Sequence, residues 1–161
     1  MKKLALVLLL AFIAIQFFRP EKNIQTSPTE VKNHISATYT VPAEVELILQ
    51  SSCYDCHSNQ TKYPWYSNVQ PVAWFLANHV EEGKKELNFS EFSTYTLRRQ
   101  FKKFGEIIDE VDEDKMPLKS FTLIHKDAVL TDAQKTSLIS WATSNKELMK
   151  SKYPAESLNK K

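Results

Sequence analysis

The chain has 161 residues, 42% of them hydrophobic and 25% charged, the balance of one globular domain, which excludes a disordered or fibrous chain. Twenty-one Lys and Arg stand against nineteen Asp and Glu, a net charge of +2, so no global excess points to nucleic acid as a partner. Only two glycines occur, Gly83 and Gly105, and because hairpins and tight turns usually need glycine, an all-α fold is expected.

Lys2 and Lys3 precede an apolar run from Leu4 to Phe18, broken only by Gln16 and closed by Arg19-Pro20-Glu21-Lys22. This predicts an export signal or a membrane helix over residues 1–20. No small-residue cleavage pattern follows the run, which favours an uncleaved anchor, lengthened by snorkelling of Lys3 and Arg19. With the lysines held inside, the remainder faces outward, toward the periplasm from a bacterial inner membrane. Residues 21–40 are polar, with Thr26, Ser27, Pro28 and Thr29, and read as a flexible tether in which His34 is solvated.

The domain is expected over residues 41–150, with a polar tail at 151–161. Its first helix starts near Pro42 and places Val45, Ile48 and Leu49 on one face before running into the cysteines. A second starts at Pro71, sets Val72, Phe75, Leu76, His79 and Val80 on a buried face, and is expected to stop at Gly83. A third begins near Ser93, aligns Leu97, Phe101, Phe104, Ile108 and Val111, and ends in the acidic run Asp109 to Asp114. The fourth opens on Thr131-Asp132-Ala133-Gln134, a capping box, and buries Leu138, Ile139, Trp141 and Ala142. Tyr63, Pro64, Trp65 and Tyr66 form a loop too aromatic to be left fully in water.

The two cysteines of the chain fall in Cys53-Tyr54-Asp55-Cys56-His57. In C-x-x-C-H two thiols add across the two vinyl groups of one haem, and the adjoining histidine reaches the iron. A thioredoxin-like pair would follow a strand, whereas here a helix precedes the cysteines. A zinc site would need a second pair of ligands at knuckle spacing, which is absent. Haem c, attached through Cys53 and Cys56 with iron on His57, is therefore the expected cofactor.

For the opposite axial position the candidate is Met116, in a loop and held by Pro117, a common way to present a thioether to haem iron. His79 competes, because a histidine on an apolar face needs partners for its ring nitrogens. His125 either closes the pocket or faces water. Tyr63, Trp65, Tyr66, Trp74 and Phe89 are candidates to wrap the porphyrin, with ordinary core packing as the alternative for each. The acidic run would steer a basic redox partner, or simply be a solvated helix end.

Beyond the motif, Ser58-Asn59, Tyr63-Pro64-Trp65-Tyr66-Ser67, Pro71, Trp74, His79-Val80, Gly83, Leu87-Asn88-Phe89-Ser90, Met116-Pro117-Leu118, His125, Ala128, Leu130-Thr131 and Trp141 resemble the exported bacterial haem-binding domain family related to c-type cytochromes. The resemblance spans nearly all of residues 42 to 143, with Lys84 and Phe92 standing where Arg and Trp are expected. It implies a compact cytochrome-c-like helical domain with covalent haem, His57 as ligand and Met116 opposite. It implies no biological role. Two functions follow from the residues: a membrane-anchored electron carrier that works with redox partner proteins, if both axial positions are filled, or a gas sensor, redox sensor or peroxide-active enzyme, if the distal ligand is displaceable.

Overall fold

The computed structural model describes residues 1–25 and 30–159. Nine helices appear among them: α1 Lys2–Ile15, α2 Glu30–Asn33, α3 Ala43–Ser52, α4 Tyr54–His57, α5 Val72–Glu86, α6 Leu97–Asp112, α7 Lys119–Thr122, α8 Asp132–Lys152 and α9 Ala155–Leu158. Short 3-10 turns cover 35–37, 65–68, 89–94 and 126–128. No strand forms among the described residues, only an isolated bridge between Ile24 and Gln60. The expected all-α fold is what the chain adopts.

The core lies where α6 and α8 pack on each other and α3 closes one side. Its centre is aromatic. Phe104 meets Tyr39, Phe92 and Trp141 at ring-centroid distances of 4.9, 5.1 and 5.6 Å, edge-on or tilted as ring quadrupoles prefer. Val45, Ile48 and Leu49 of α3 and Leu138 and Ala142 of α8 are buried as their spacing predicts. The Trp141 indole N–H is satisfied by the Thr40 carbonyl at 3.0 Å. At the start of α8 the Thr131 hydroxyl accepts from the Gln134 amide, and the Gln134 side chain takes the Thr131 N–H, completing the capping box.

Several boundaries differ from expectation, each for a local reason. α6 begins at Leu97, not Ser93, because Thr96 is its N-cap and accepts from Arg99 N–H at 3.3 Å. The residues before it form a 3-10 turn capped by the Asn88 side chain. α5 does not stop at Gly83 but continues to Glu86; the glycine serves a close approach described below. Met149, which lies beyond the predicted apolar face of the last helix, is buried in the core because α8 runs on to Lys152. Of the expected polar tail, α9 packs Leu158 into the same core, and Lys160 and Lys161 lie outside the described residues.

The expected tether is also held, in the part described. Ile35 and Tyr39, four residues apart, are buried, and Tyr39 donates to Gln100 at 2.6 Å. Asn23 takes the Lys84 ammonium at 2.6 Å and donates to Ser58 O and Thr61 Oγ1. Thr26 to Thr29 lie outside the described residues. His34 is half-buried, capping the turn at 35–37 and lying edge-on to Tyr54.

The anchor expectation is not supported: among the described residues no helix is long and apolar enough to cross a membrane. α1 has 14 residues, or about 21 Å at 1.5 Å per residue, against about 30 Å of hydrocarbon. None of its residues is buried. The chain turns out of α1 at Gln16, whose side chain exchanges hydrogen bonds with the Gln70 backbone at 2.9 and 3.3 Å. Gln70 Nε2 and Trp74 Nε1 both donate to Phe18 O at 2.8 Å, so the end of α1 is stitched to the start of α5.

Candidate haem site

α3 ends at Ser52, and the next residues wind straight into the single turn of α4, which carries Cys56 and His57. Both cysteines are free thiols. Burial raises the Cys53 thiol to about 12, with Cys56 adding to the effect, and raises Cys56 to about 11, with Asp55 adding. Neither is a thiolate near neutral pH, the opposite of the lowered thiol pKa of a working C-x-x-C redox pair.

The turn is locked from two sides. On one, Asn59 N–H donates to Ser90 Oγ at 3.1 Å and Asn88 Nδ2 donates to Asn59 Oδ1 at 2.8 Å. Ser58 Oγ closes the segment by donating to Tyr54 O at 2.7 Å. Ser58, Asn59, Asn88 and Ser90 are all buried, so these polar side chains form a satisfied internal network holding the motif.

On the other side α4 lies directly against α5, and Gly83 permits it. A β-carbon there would stand 2.7 Å from the Cys56 carbonyl oxygen and 3.2 Å from Cys56 C and Cβ. The same glycine's carbonyl, with that of Leu87, accepts from His57 Nδ1 at 2.8 and 2.9 Å. Carbonyls only accept, so Nδ1 carries the proton and Nε2 is left as the lone-pair nitrogen. Burial pushes the His57 pKa down, against the upward pull of the two carbonyls, so the ring is neutral, the form that binds a metal.

His57, Cys53 and Met116 line one cavity of about 380 Å³ with Leu49, Leu87, Phe89, Ile107, Val111 and Leu138. Met116 is brought there by the C-terminus of α6. Asp114 adopts φ 55°, the left-handed cap, and Lys115 N–H returns to Glu110 O at 2.9 Å while Asp114 N–H returns to Val111 O at 3.3 Å. This Schellman pattern reverses the chain, and Met116 N–H also reaches Glu110 O, at 3.0 Å. A half-buried neutral imidazole, a thioether and the Cys53 thiol line this cavity, while Cys56 lines the smaller one beside it; imidazole, thioether and a pair of thiols are the groups that hold an iron porphyrin attached through thioethers.

His79 stands elsewhere. Its Nδ1 donates to Phe75 O at 2.8 Å, and it lines a smaller cavity of about 80 Å³ with Cys56, Tyr66 and His125. There Tyr66 Oη meets His125 Nε2 at 2.5 Å and Phe121 stacks on His125. Of the five candidate wrapping rings only Phe89 lines the cavity of His57 and Met116. Trp65 is 81% exposed, contrary to the expectation that its loop would leave water. Tyr63 accepts from Asn23 N–H at 2.7 Å, and Trp74 holds Phe18.

Sequence reasoning missed Lys103, Glu86 and Glu106, which line the larger cavity, and read Glu110, which also lines it, only as part of the acidic run. They fall among the polar residues of α5 and α6, where residue type alone does not mark a cavity wall, and Glu86 itself stays 75% exposed. Gly83 was legible as one of two glycines in a helical chain, but not its contact.

A family model, the haem-binding domain, matches residues 10–144. No curated protein sequence and no solved structure matches the chain.

Proposed function

The chain belongs to the haem-binding domain family, and we propose that it is a monohaem c-type cytochrome, joined to haem through Cys53 and Cys56 and ligating iron with His57 and Met116, that transfers single electrons. The observation that carries this reading is His57: two backbone carbonyls fix its tautomer, and its ring lines the cavity that Met116 also lines. When bound, the haem supplies a one-electron couple. The chain's residues orient the imidazole, offer a thioether opposite, and surround both with Leu49, Phe89, Ile107 and Leu138, which exclude water.

Placement of Met116 and His79 in different cavities favours Met116 as the distal ligand. α1, apolar on all sides behind Lys2 and Lys3, directs the chain across the bacterial inner membrane and keeps it at the periplasmic face, where donor and acceptor redox proteins reach it.

Optical and magnetic spectroscopy of the purified protein in both oxidation states tests the assignment, with Met116→Ala and His79→Ala alongside. The expected wild type is six-coordinate and low-spin, with a sulfur-to-iron band that vanishes only in Met116→Ala. A five-coordinate wild type that binds carbon monoxide readily would replace the carrier with a sensor or peroxide-active enzyme. Haem lost to acid and solvent extraction would refute covalent attachment.

A further inference from the structure

The cavity of His57 and Met116 is charged in one place. Lys103, its side chain 7% exposed, sets its Nζ 2.5 Å from Glu106 Oε2 and 3.3 Å from Glu86 Oε2. It is the one cation among the described residues lining this cavity, whose remaining walls are apolar apart from Glu110. A buried ammonium is costly unless carboxylates compensate it. Here the compensation is uneven. Glu106 is close but is shared with Lys102, which holds its other oxygen at 2.8 Å. Glu86 is 75% exposed and further away, the looser of the two partners.

Haem has the same polarity as this cavity: a flat apolar macrocycle with two propionate carboxylates on one edge. Seating the macrocycle against the apolar walls brings the propionates toward the charged patch, where Glu86, Glu106 and Glu110 repel them and a single group attracts them. Building on the haem reading above, we infer that Lys103 is a propionate-binding residue, exchanging its loose partner Glu86 for a haem propionate while keeping Glu106. The pairing would hold a positive charge in the cavity that His57 and Met116 line, which favours the reduced state of a haem bound there.

The test uses the haem-loaded full chain and its Lys103→Gln, Lys103→Arg and Glu86→Gln variants, reading the propionate bending band by resonance Raman and the midpoint potential by redox titration. Lys103→Gln is expected to move the band and to raise the oxidised-to-reduced ratio at fixed potential at least tenfold, about 59 mV for one electron. Lys103→Arg, which keeps the charge, restores both. Glu86→Gln leaves the band in place, because Glu86 has already been displaced. A band unmoved in Lys103→Gln, or moved equally in Glu86→Gln, would overturn the assignment with covalent haem still present. A wild type without covalent haem instead defeats the underlying functional reading and this pairing with it.

Discussion

Replacing Gly83 with alanine sets helix propensity against a steric contact. In an exposed helix interior the change would stabilise by about 0.8–1.0 kcal/mol, since glycine is a poor helix former. At this position the new β-carbon would lie 2.7 Å from the Cys56 carbonyl oxygen, and the obstacle is backbone on a turn pinned by buried Ser58 and Asn59. α4 and α5 must separate, an overpacking that costs about 1–3 kcal/mol. The separation also stretches the 2.8 Å bond from His57 Nδ1 to Gly83 O, forfeiting part of the about 0.5–1.5 kcal/mol of a typical hydrogen bond. A net loss of about 2 kcal/mol lowers the melting temperature of a chain this size by about 4–8 °C. Chemical and thermal unfolding of the haem-loaded protein measures it, and the yield of attached haem reports the displaced motif. Gly83→Ala with unchanged or higher stability and full haem content would refute the close-approach argument.

Other substitutions probe separate parts of the structure. Leu158→Ala, at a position 3% exposed, should cost about 2–5 kcal/mol as a core truncation, whereas a solvated tail residue would cost almost nothing in urea unfolding. Cys53→Ala and Cys56→Ala should each yield haem held by one thioether, seen as a red-shifted reduced pyridine haemochrome band, and the double variant should lose haem on solvent extraction. Burial raises the Glu106 carboxyl, but hydrogen bonds from Lys102 and Lys103 outweigh it and leave its pKa below the usual range. The stability this supplies is present above the unfolded carboxylate pKa and lost as pH falls through the folded value. Glu106→Gln should therefore flatten the acid limb of stability below about pH 4.5, measured by urea titration across pH.

The amino-acid sequence by itself determined the chemistry and the local geometry. C-x-x-C-H, two thiols and an imidazole within five residues, is a local pattern, and so are the apolar stripes of α3, α6 and α8 and the capping box at Thr131, because these depend on neighbours within a turn or two; the face expected to be buried on α5 instead leaves Val72 and Phe75 exposed and buries only Val80 of its five residues. Even the buried Ser58, Asn59, Asn88 and Ser90 were visible as parts of a resemblance, though not as a network. What only the tertiary structure decided rests on neighbours far apart in the chain. It separates Met116 from His79, because a left-handed residue after α6 folds Met116 back toward the cavity of His57 while His79 opens onto another. It orders Ile35, Tyr39 and Leu158, single apolar side chains in polar surroundings too sparse to show a period. And it gives His57 its tautomer through the carbonyls of Gly83 and Leu87: main-chain atoms that every residue has, so no residue type could announce them, and only the packing of α4 on α5 puts them within reach.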